Sequence, residues 1–283
     1  MRYQVWRPAQ DLSHIVRCYW MIEADSAPGV DRVLPDGCSE LVFHFADVFD
    51  QVLPDGGRRA QEIALAVGQM RESILLEPRG RVRAFGIRFW PGGAWVLCGI
   101  PQAELTNRIV SADDVMGSVA REWGLRIAES QDPARTADFL LRPISMRRSD
   151  PLLPLSRQIV CSGGNVRIDD IVRQSGIGAR QLRQRFREVT GVGPKMLARI
   201  VRFQIAAGLI RAGETLVDGA IDAGYYDQAH FQREFREFAG ITPRQFRAEV
   251  HPMGDYFADN MSRSESVTPS ASELPHDAPS HSK

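Results

Sequence analysis

One segment of this chain, residues 168–247, repeats itself, and the repeat limits what the segment can become. Leu182-Arg183-Gln184-Arg185-Phe186-Arg187-Glu188 lies over Phe231-Gln232-Arg233-Glu234-Phe235-Arg236-Glu237 at an offset of 49, with apolar and charged positions in step. The offset carries on: Gly191 meets Gly240 and Pro194 meets Pro243. Each copy follows an apolar helical run and a glycine turn, Gly176-Ile177-Gly178 in the first and Gly224-Tyr225-Tyr226 in the second. Helix, tight turn and helix, twice, is a supersecondary unit used to enter the major groove of DNA.

The helical period separates the two faces of each second helix. Leu182, Phe186 and Val189 recur at spacings of four and three, as do Phe231, Phe235 and Phe238, so these stripes face inward. Arg180, Arg183, Gln184 and Arg187 are left outward in the first copy, and Gln228, Ala229, Gln232, Arg233 and Arg236 in the second. Arginine donates two bonds to guanine and glutamine pairs bidentately with adenine, which is the chemistry of base readout. Asp227 is placed to cap the second reading helix, whereas Gly178 caps the first less well.

Between the copies, residues 194–210 read as one helix opened by Pro194, roughly 25 Å long at 1.5 Å per residue. With the offsets of the reading helices added, that length suits two adjacent major grooves, roughly 34 Å apart. The segment from Ala206 and Leu209-Ile210 through Gly224-Tyr225-Tyr226-Asp227-Gln228-Ala229-His230-Phe231-Gln232-Arg233-Glu234-Phe235 resembles the DNA-binding domain of the AraC/XylS family of bacterial transcription regulators. The resemblance implies sequence-specific binding of double-stranded promoter DNA, usually to activate transcription with RNA polymerase. It puts base contacts on Arg180, Arg183, Gln184, Gln228, Ala229, Gln232 and Arg233. Three positions depart from the family: Gln184 replaces an arginine, Gly178 a serine cap, and Gly219 an isoleucine, the last at a helix-propensity cost of about 1 kcal/mol. Arg187, Lys195 and Arg236 are the expected phosphate contacts.

Arginines and glutamines on an exposed helix are usually only a solvated face, so the DNA reading rests on the coincidence of repeat, turns and linker length. Charge adds modest support. Residues 155–250 hold 15 Lys and Arg against 10 Asp and Glu, a local excess of 5 within a chain of formal net charge +0.

At 283 residues, 43% hydrophobic and 25% charged, the chain reads as a soluble α+β protein of two domains. No signal peptide or 18-residue apolar run is evident, which predicts a cytoplasmic protein with no membrane partner. Cys18, Cys38, Cys98 and Cys161 are widely spaced and read as reduced and mostly buried, with neither a zinc site nor a disulfide framework. Residues 1–99 show short strand signals, at 14–23, 62–67, 73–76 and 81–89, between repeated Leu-Pro-Asp-Gly turns at 34–37 and 53–56. An antiparallel β-barrel or sandwich follows from that spacing. Leu34-Pro35-Asp36-Gly37-Cys38 and Arg88-Phe89-Trp90-Pro91-Gly92-Gly93 resemble the N-terminal domain of one subgroup of such regulators, which implies a cupin-like sensing barrel.

Residues 111–142 turn helical, with Val115, Val119, Trp123, Leu125, Ile127, Phe139 and Leu140 as apolar positions and a break at Asp132-Pro133. These helices either pair with a second subunit, making a homodimer, or cover the end of the barrel. The organisation expected is a sensing domain with flanking helices over 1–145, a polar linker at 146–154, an all-α double helix-turn-helix domain over 155–252 and a disordered tail at 253–283.

Cys38, Glu40, Val42 and His44 alternate along one strand and share a face, opposite Leu41, Phe43 and Phe45. A metal site is disfavoured because ligands two residues apart on a strand lie some 7 Å apart. The better expectation is a small organic effector among Trp20, Glu40, His44, Arg88 and Trp90, with no cofactor and no metal. Two function classes follow: an effector-responsive transcription regulator without catalytic activity, or an enzyme or repair barrel that the C-terminal domain anchors on DNA. The absence of a nucleophile elbow, phosphate loop, HExxH or cysteine cluster favours the first. A purely architectural DNA binder is disfavoured by the differing Arg and Gln sets on the two reading helices.

Overall fold

The computed structural model describes residues 1–25 and 29–249; the tail expected from 253 onward and the last residues of the expected DNA-binding domain lie outside them. The N-terminal part is built on two antiparallel sheets. The larger runs in the order β1 (Arg2–Trp6), β2 (Val16–Ala24), β9 (Val82–Phe89), β4 (Ser39–His44), β7 (Ala64–Val67) and β10 (Ile109–Ser111). The smaller runs β3 (Asp31–Val33), β8 (Ile74–Pro78), β5 (Phe49–Val52) and β6 (Arg58–Ala60). Residues of alternate parity on β2, β4 and β9 serve two separate cores, as a pleated strand requires. Tyr19, Met21, Leu41, Phe43, Phe85, Ile87 and Phe89 point to the helix-covered side, while Trp20, Ile22, Val42 and Ala84 point toward the smaller sheet.

The helix-covered side is closed by α1 (Gly93–Cys98), α2 (Ala112–Met116), α3 (Val119–Ala128) and α4 (Pro133–Ser145). Asp132 caps α4, its side chain accepting from the Arg135 amide at 3.0 Å, with Pro133 in the first turn, where its missing N–H costs nothing. The apolar stripe read from the sequence needs correction here. Trp123, Ile127 and Leu140 are buried, but Val119, Leu125 and Phe139 are exposed, and Ala120, Ala134, Ala137 and Leu141 fill the seam instead. Small residues let these helices pack closely, and Arg126 lies 5.3 Å over the Phe139 ring.

The C-terminal part is all helix: α5 (Leu152–Cys161), α6 (Ile168–Ser175), α7 (Ala179–Thr190), α8 (Pro194–Arg211), α9 (Leu216–Asp222), α10 (Gln228–Ala239) and α11 (Pro243–Ala248). The long α8 has little apolar asymmetry because it is buried on two sides. Leu197, Ala198 and Val201 join the core shared with the N-terminal sheets, whereas Ile200, Phe203, Ala206, Ala207 and Ile210 build a second core with Phe231, Phe235 and Phe238. The first core runs without interruption from β2 and β9 through α5 to α7. Residues 146–151 connect α4 to α5 and carry the buried Asp150, whose carboxylate accepts from Arg185 at 2.7 Å. Cys18 and Cys38 are buried, but Cys161 is exposed at the end of α5, contrary to the general expectation for the cysteines; all four are free.

Candidate nucleic-acid interface and cavity

The two helix-turn-helix units follow the period that the sequence predicted. In the first, Gly176 ends α6 in the left-handed region (φ 68°), which a glycine adopts without strain, and Gly178 opens α7 with no side-chain bond to the helix amides. In the second, the Asp227 carboxylate accepts from the His230 amide at 2.6 Å, and Thr215 caps α9 by accepting from Asp218. Leu182, Phe186 and Val189 are fully buried, as are Phe235 and Phe238, with Phe231 nearly so. Arg180, Arg183, Gln184 and Arg187 are exposed on α7; Gln228, Ala229, Gln232, Arg233 and Arg236 are exposed on α10; Lys195 is exposed at the start of α8. Neighbouring Arg185 and Arg199 have different employment. Arg185 holds Asp150 and Glu188, and Arg199 bridges Glu234 and Glu237, so each ties elements together rather than offering charge outward.

The C-terminal ends of α7 and α10 are held by the N-terminal sheets, and one short connection reaches both. It is the loop 68–73 between β7 and β8. At one end, the buried Gln69 closes on Gly191, the glycine that ends α7, so that a β-carbon there would stand 2.9 Å from the Gln69 Cβ, while the nearby Thr106 hydroxyl donates to the Gly191 carbonyl at 2.7 Å. At the other end, the Ser73 amide donates to the Phe238 carbonyl and its hydroxyl to the Ala239 carbonyl, both at 2.8 Å, just before Gly240 ends α10. Gly191 and Gly240 are equivalent positions of the internal repeat. Arg32 of β3 reinforces the second hold by donating to the Ala239 carbonyl at 3.0 Å and bidentately to Glu249 at 2.9 Å. These donors satisfy carbonyls that a helix end leaves without intrahelical partners.

Between the two sheets and α8 lies a cavity of about 100 Å³. That is several times the roughly 15 Å³ that one water needs on the same measure. Cross-strand register builds its floor: Trp20, Gly86 and Val42 form one row, and Arg88 and Glu40 the next. Gly86 is required in the first row because a β-carbon there would stand 2.0 Å from the Trp20 indole. Arg88 pairs closely with Glu40 and reaches Asp36 at 3.5 Å. Burial works against the charge on Arg88, but the two carboxylates more than offset it and hold the guanidinium well above its usual range. Burial likewise pushes Glu40 up, against the pull of Arg88. The Cys38 thiol is pushed up to about 12 by burial and by Asp36, so it stays protonated and unreactive.

Of the residues expected around an effector, Trp20, Glu40, His44 and Arg88 line this cavity, together with Cys38 and Val42 from the alternating strand. Trp90 does not. It follows the last residue of β9, where Pro91 and Gly92 turn the chain away, and its ring is flanked by Arg17 at 5.2 Å and Arg157 at 4.6 Å. Residues that the sequence did not suggest complete the wall: Arg32 and Leu76 from the smaller sheet, and Gln204 and Arg211 from α8. The Gln204 side chain donates to the Pro35 carbonyl at 2.6 Å, and Leu197 stands 3.1 Å from where a β-carbon of Gly37 would lie. The first Leu-Pro-Asp-Gly turn therefore sits directly on α8. No group of three His, Cys, Asp or Glu side chains arranged to hold a metal occurs among the described residues.

Residues 4–111 match a family described as a domain of unknown function, and residues 171–249 match a family described as a helix-turn-helix domain. The chain is 35% identical over 83 residues to the F1 operon positive regulatory protein of Yersinia pestis and 26% identical over 83 residues to the HTH-type transcriptional regulator MtrA of Neisseria gonorrhoeae. Each match covers 29% of this chain and 28% of the relative. Among solved structures, ToxT from Vibrio cholerae is similar at 12% identity, with 88% of this chain and 98% of that chain covered and a TM-score of 0.43.

Proposed function

We propose that this chain, whose C-terminal part is an AraC-type double helix-turn-helix domain, is a sequence-specific DNA-binding transcription regulator controlled by a small molecule held in the cavity against α8. The observation that carries the reading is the pairing of two helices, α7 and α10, each with an aromatic or aliphatic inner face and an exposed Arg and Gln outer face, at the two ends of the 18-residue α8. Arg180, Arg183 and Gln184 read one groove, and Gln228, Ala229, Gln232 and Arg233 the next; Arg187, Lys195 and Arg236 contact phosphates. Promoter DNA and RNA polymerase are the macromolecular partners, with a second copy of the chain as a further one through the exposed Leu125 and Phe139. The working compartment is the cytoplasm; among the described residues no helix is long and apolar enough to cross a membrane.

Effector control runs through the two contacts between cavity and DNA domain. Asp36 and Cys38 line the cavity within the turn that rests on α8, and Met70 and Ile74 line it at either side of the loop segment that holds Phe238 and Ala239. A ligand that fits one arrangement of these walls better than another shifts the population of DNA-competent molecules by that difference in affinity. The reading of the barrel as an enzyme anchored on DNA has no specific observation in its favour.

Selection of bound duplexes from a random pool by the full chain tests the proposal. Two short motifs about one helical turn apart are expected, with one of them degraded by the Gln232→Ala, Arg233→Ala double variant. Recovery of an unenriched pool bound only through salt-sensitive contacts would refute sequence-specific regulation.

A further inference from the structure

His44 is a buried residue of the cavity wall whose two ring nitrogens lack a well-formed hydrogen bond among the described residues. It ends β4, is 5% exposed and faces the cavity beside the edge of the Phe49 ring at a centroid distance of 5.2 Å. Neither ring nitrogen makes a hydrogen bond of good geometry among the described residues, although the side chain of Gln61 lies close by on the same wall. A native fold leaves few buried polar groups in that condition, and a bound molecule is one way to satisfy them.

The rest of the wall limits what that molecule can be. Most of the lining is apolar, contributed by Trp20, Ile22, Val42, Leu65, Val67 and Leu76. Arg88 is taken by Glu40 and Asp36 and Arg32 by Glu249, while Arg211 lies 4.9 Å over the Phe246 ring. A carboxylate or phosphate set against His44 would lie beside an apolar wall, with the Arg88 and Arg32 guanidiniums already holding carboxylates, and burying a charge without a partner is strongly unfavourable.

We infer that the cavity takes an apolar molecule bearing one uncharged hydrogen-bonding group, an alcohol or a ketone, with that group against the imidazole of His44. The inference rests on the reading of this cavity as the effector site and names the chemistry of the effector. A neutral imidazole offers one donor and one acceptor, so it serves a hydroxyl in either sense and a carbonyl through its N–H. Burial holds His44 down to about 4, against the weaker opposing pull of Gln61, so the ring is uncharged near neutral pH and offers an anion no countercharge.

Calorimetric titration of the full chain near neutral pH with decanol and, separately, with decanoate tests this. Decanol is expected to bind at least about tenfold more tightly than decanoate, since the carboxylate gives up its hydration to lie against an uncharged ring; one buried hydrogen bond lost is itself worth about a factor of ten. His44→Leu is expected to weaken decanol by a similar factor, and His44→Gln to restore part of it. Each variant is first checked for unchanged binding to the selected duplex, which establishes that it is folded. Equal or tighter binding of decanoate overturns the inference, and so does undiminished decanol binding by His44→Leu. Binding of neither compound by a protein that still selects DNA overturns the ligand class alone; failure to select DNA overturns the regulatory reading independently.

Discussion

His44 also makes the pH dependence of stability predictable. Its ordinary value is 6.5, and burial lowers it to about 4 in the folded chain. Between these values the unfolded chain binds a proton that the folded chain does not, so stability is complete above about 6.5 and falls as the pH drops toward 4. The loss is on the order of 3 kcal/mol for this one group. Chemical denaturation at a series of pH values should show His44→Phe with a shallower slope in that window than the parent; parallel slopes would mean that other groups dominate. At this scale the strand alternation of Cys38, Glu40, Val42 and His44 was legible in the sequence, because a pleat fixes which side each residue takes. The contributions of Gln204, Arg211 and Arg32 were not, since they reach the cavity from elements that only tertiary packing brings together. Trp90 misled for the opposite reason: the alternation that places Arg88 in the cavity ends with β9 at Phe89.

The repeated helices of the C-terminal part were legible to within a residue or two because two copies of one pattern, each with its own glycine stops, constrain each other; α5, outside the repeat, begins at Leu152, inside the linker expected at 146–154. Gly219 in α9 is the departure with a measurable consequence. A β-carbon there would meet Leu209 at 3.6 Å and Ile210 at 3.7 Å, ordinary contact distances. Gly219→Ala should therefore stabilise the chain by roughly 1 kcal/mol, read as a raised denaturant midpoint at constant slope. Asp227→Ala removes the cap of α10 and should cost about 1 kcal/mol, together with a loss of affinity for the half-site that α10 reads. Were the stability to fall with no change in DNA binding, α10 would not be the reading helix. The short β6 and β1 lacked a comparable signal. β6 is exposed throughout, so no hydrophobic pattern marks it, and β1 lies at the edge of the larger sheet and pairs only with β2. For α3 and α4, large apolar residues drew attention away from the alanines that the packing uses.

Over the whole molecule, the first core passes from the sheets through α5 into α7 and α8, which ties the two functional parts into one cooperative unit. Scanning calorimetry of the full chain should give a single transition; two well-separated transitions would show that the parts unfold independently. Salt titration of binding to the selected duplex should separate the positive charges by role. Arg187→Ala, Lys195→Ala and Arg236→Ala should each lower the slope of log affinity against log salt by about 1 and leave base preference unchanged, whereas Arg233→Ala should relax one position of one half-site. A change of preference with no change of slope in the first group would reverse the assignment. The loop 68–73, which meets the ends of both reading helices, carries a consequence for heredity. If α7 and α10 read bases as proposed, the bases recognised are encoded on those two helices, while the separation tolerated between half-sites is encoded partly in the N-terminal half. Exchanging the C-terminal part for that of a relative would transfer the alphabet and leave the spacing behind, and an insertion in this loop would move the spacing without altering a single base read.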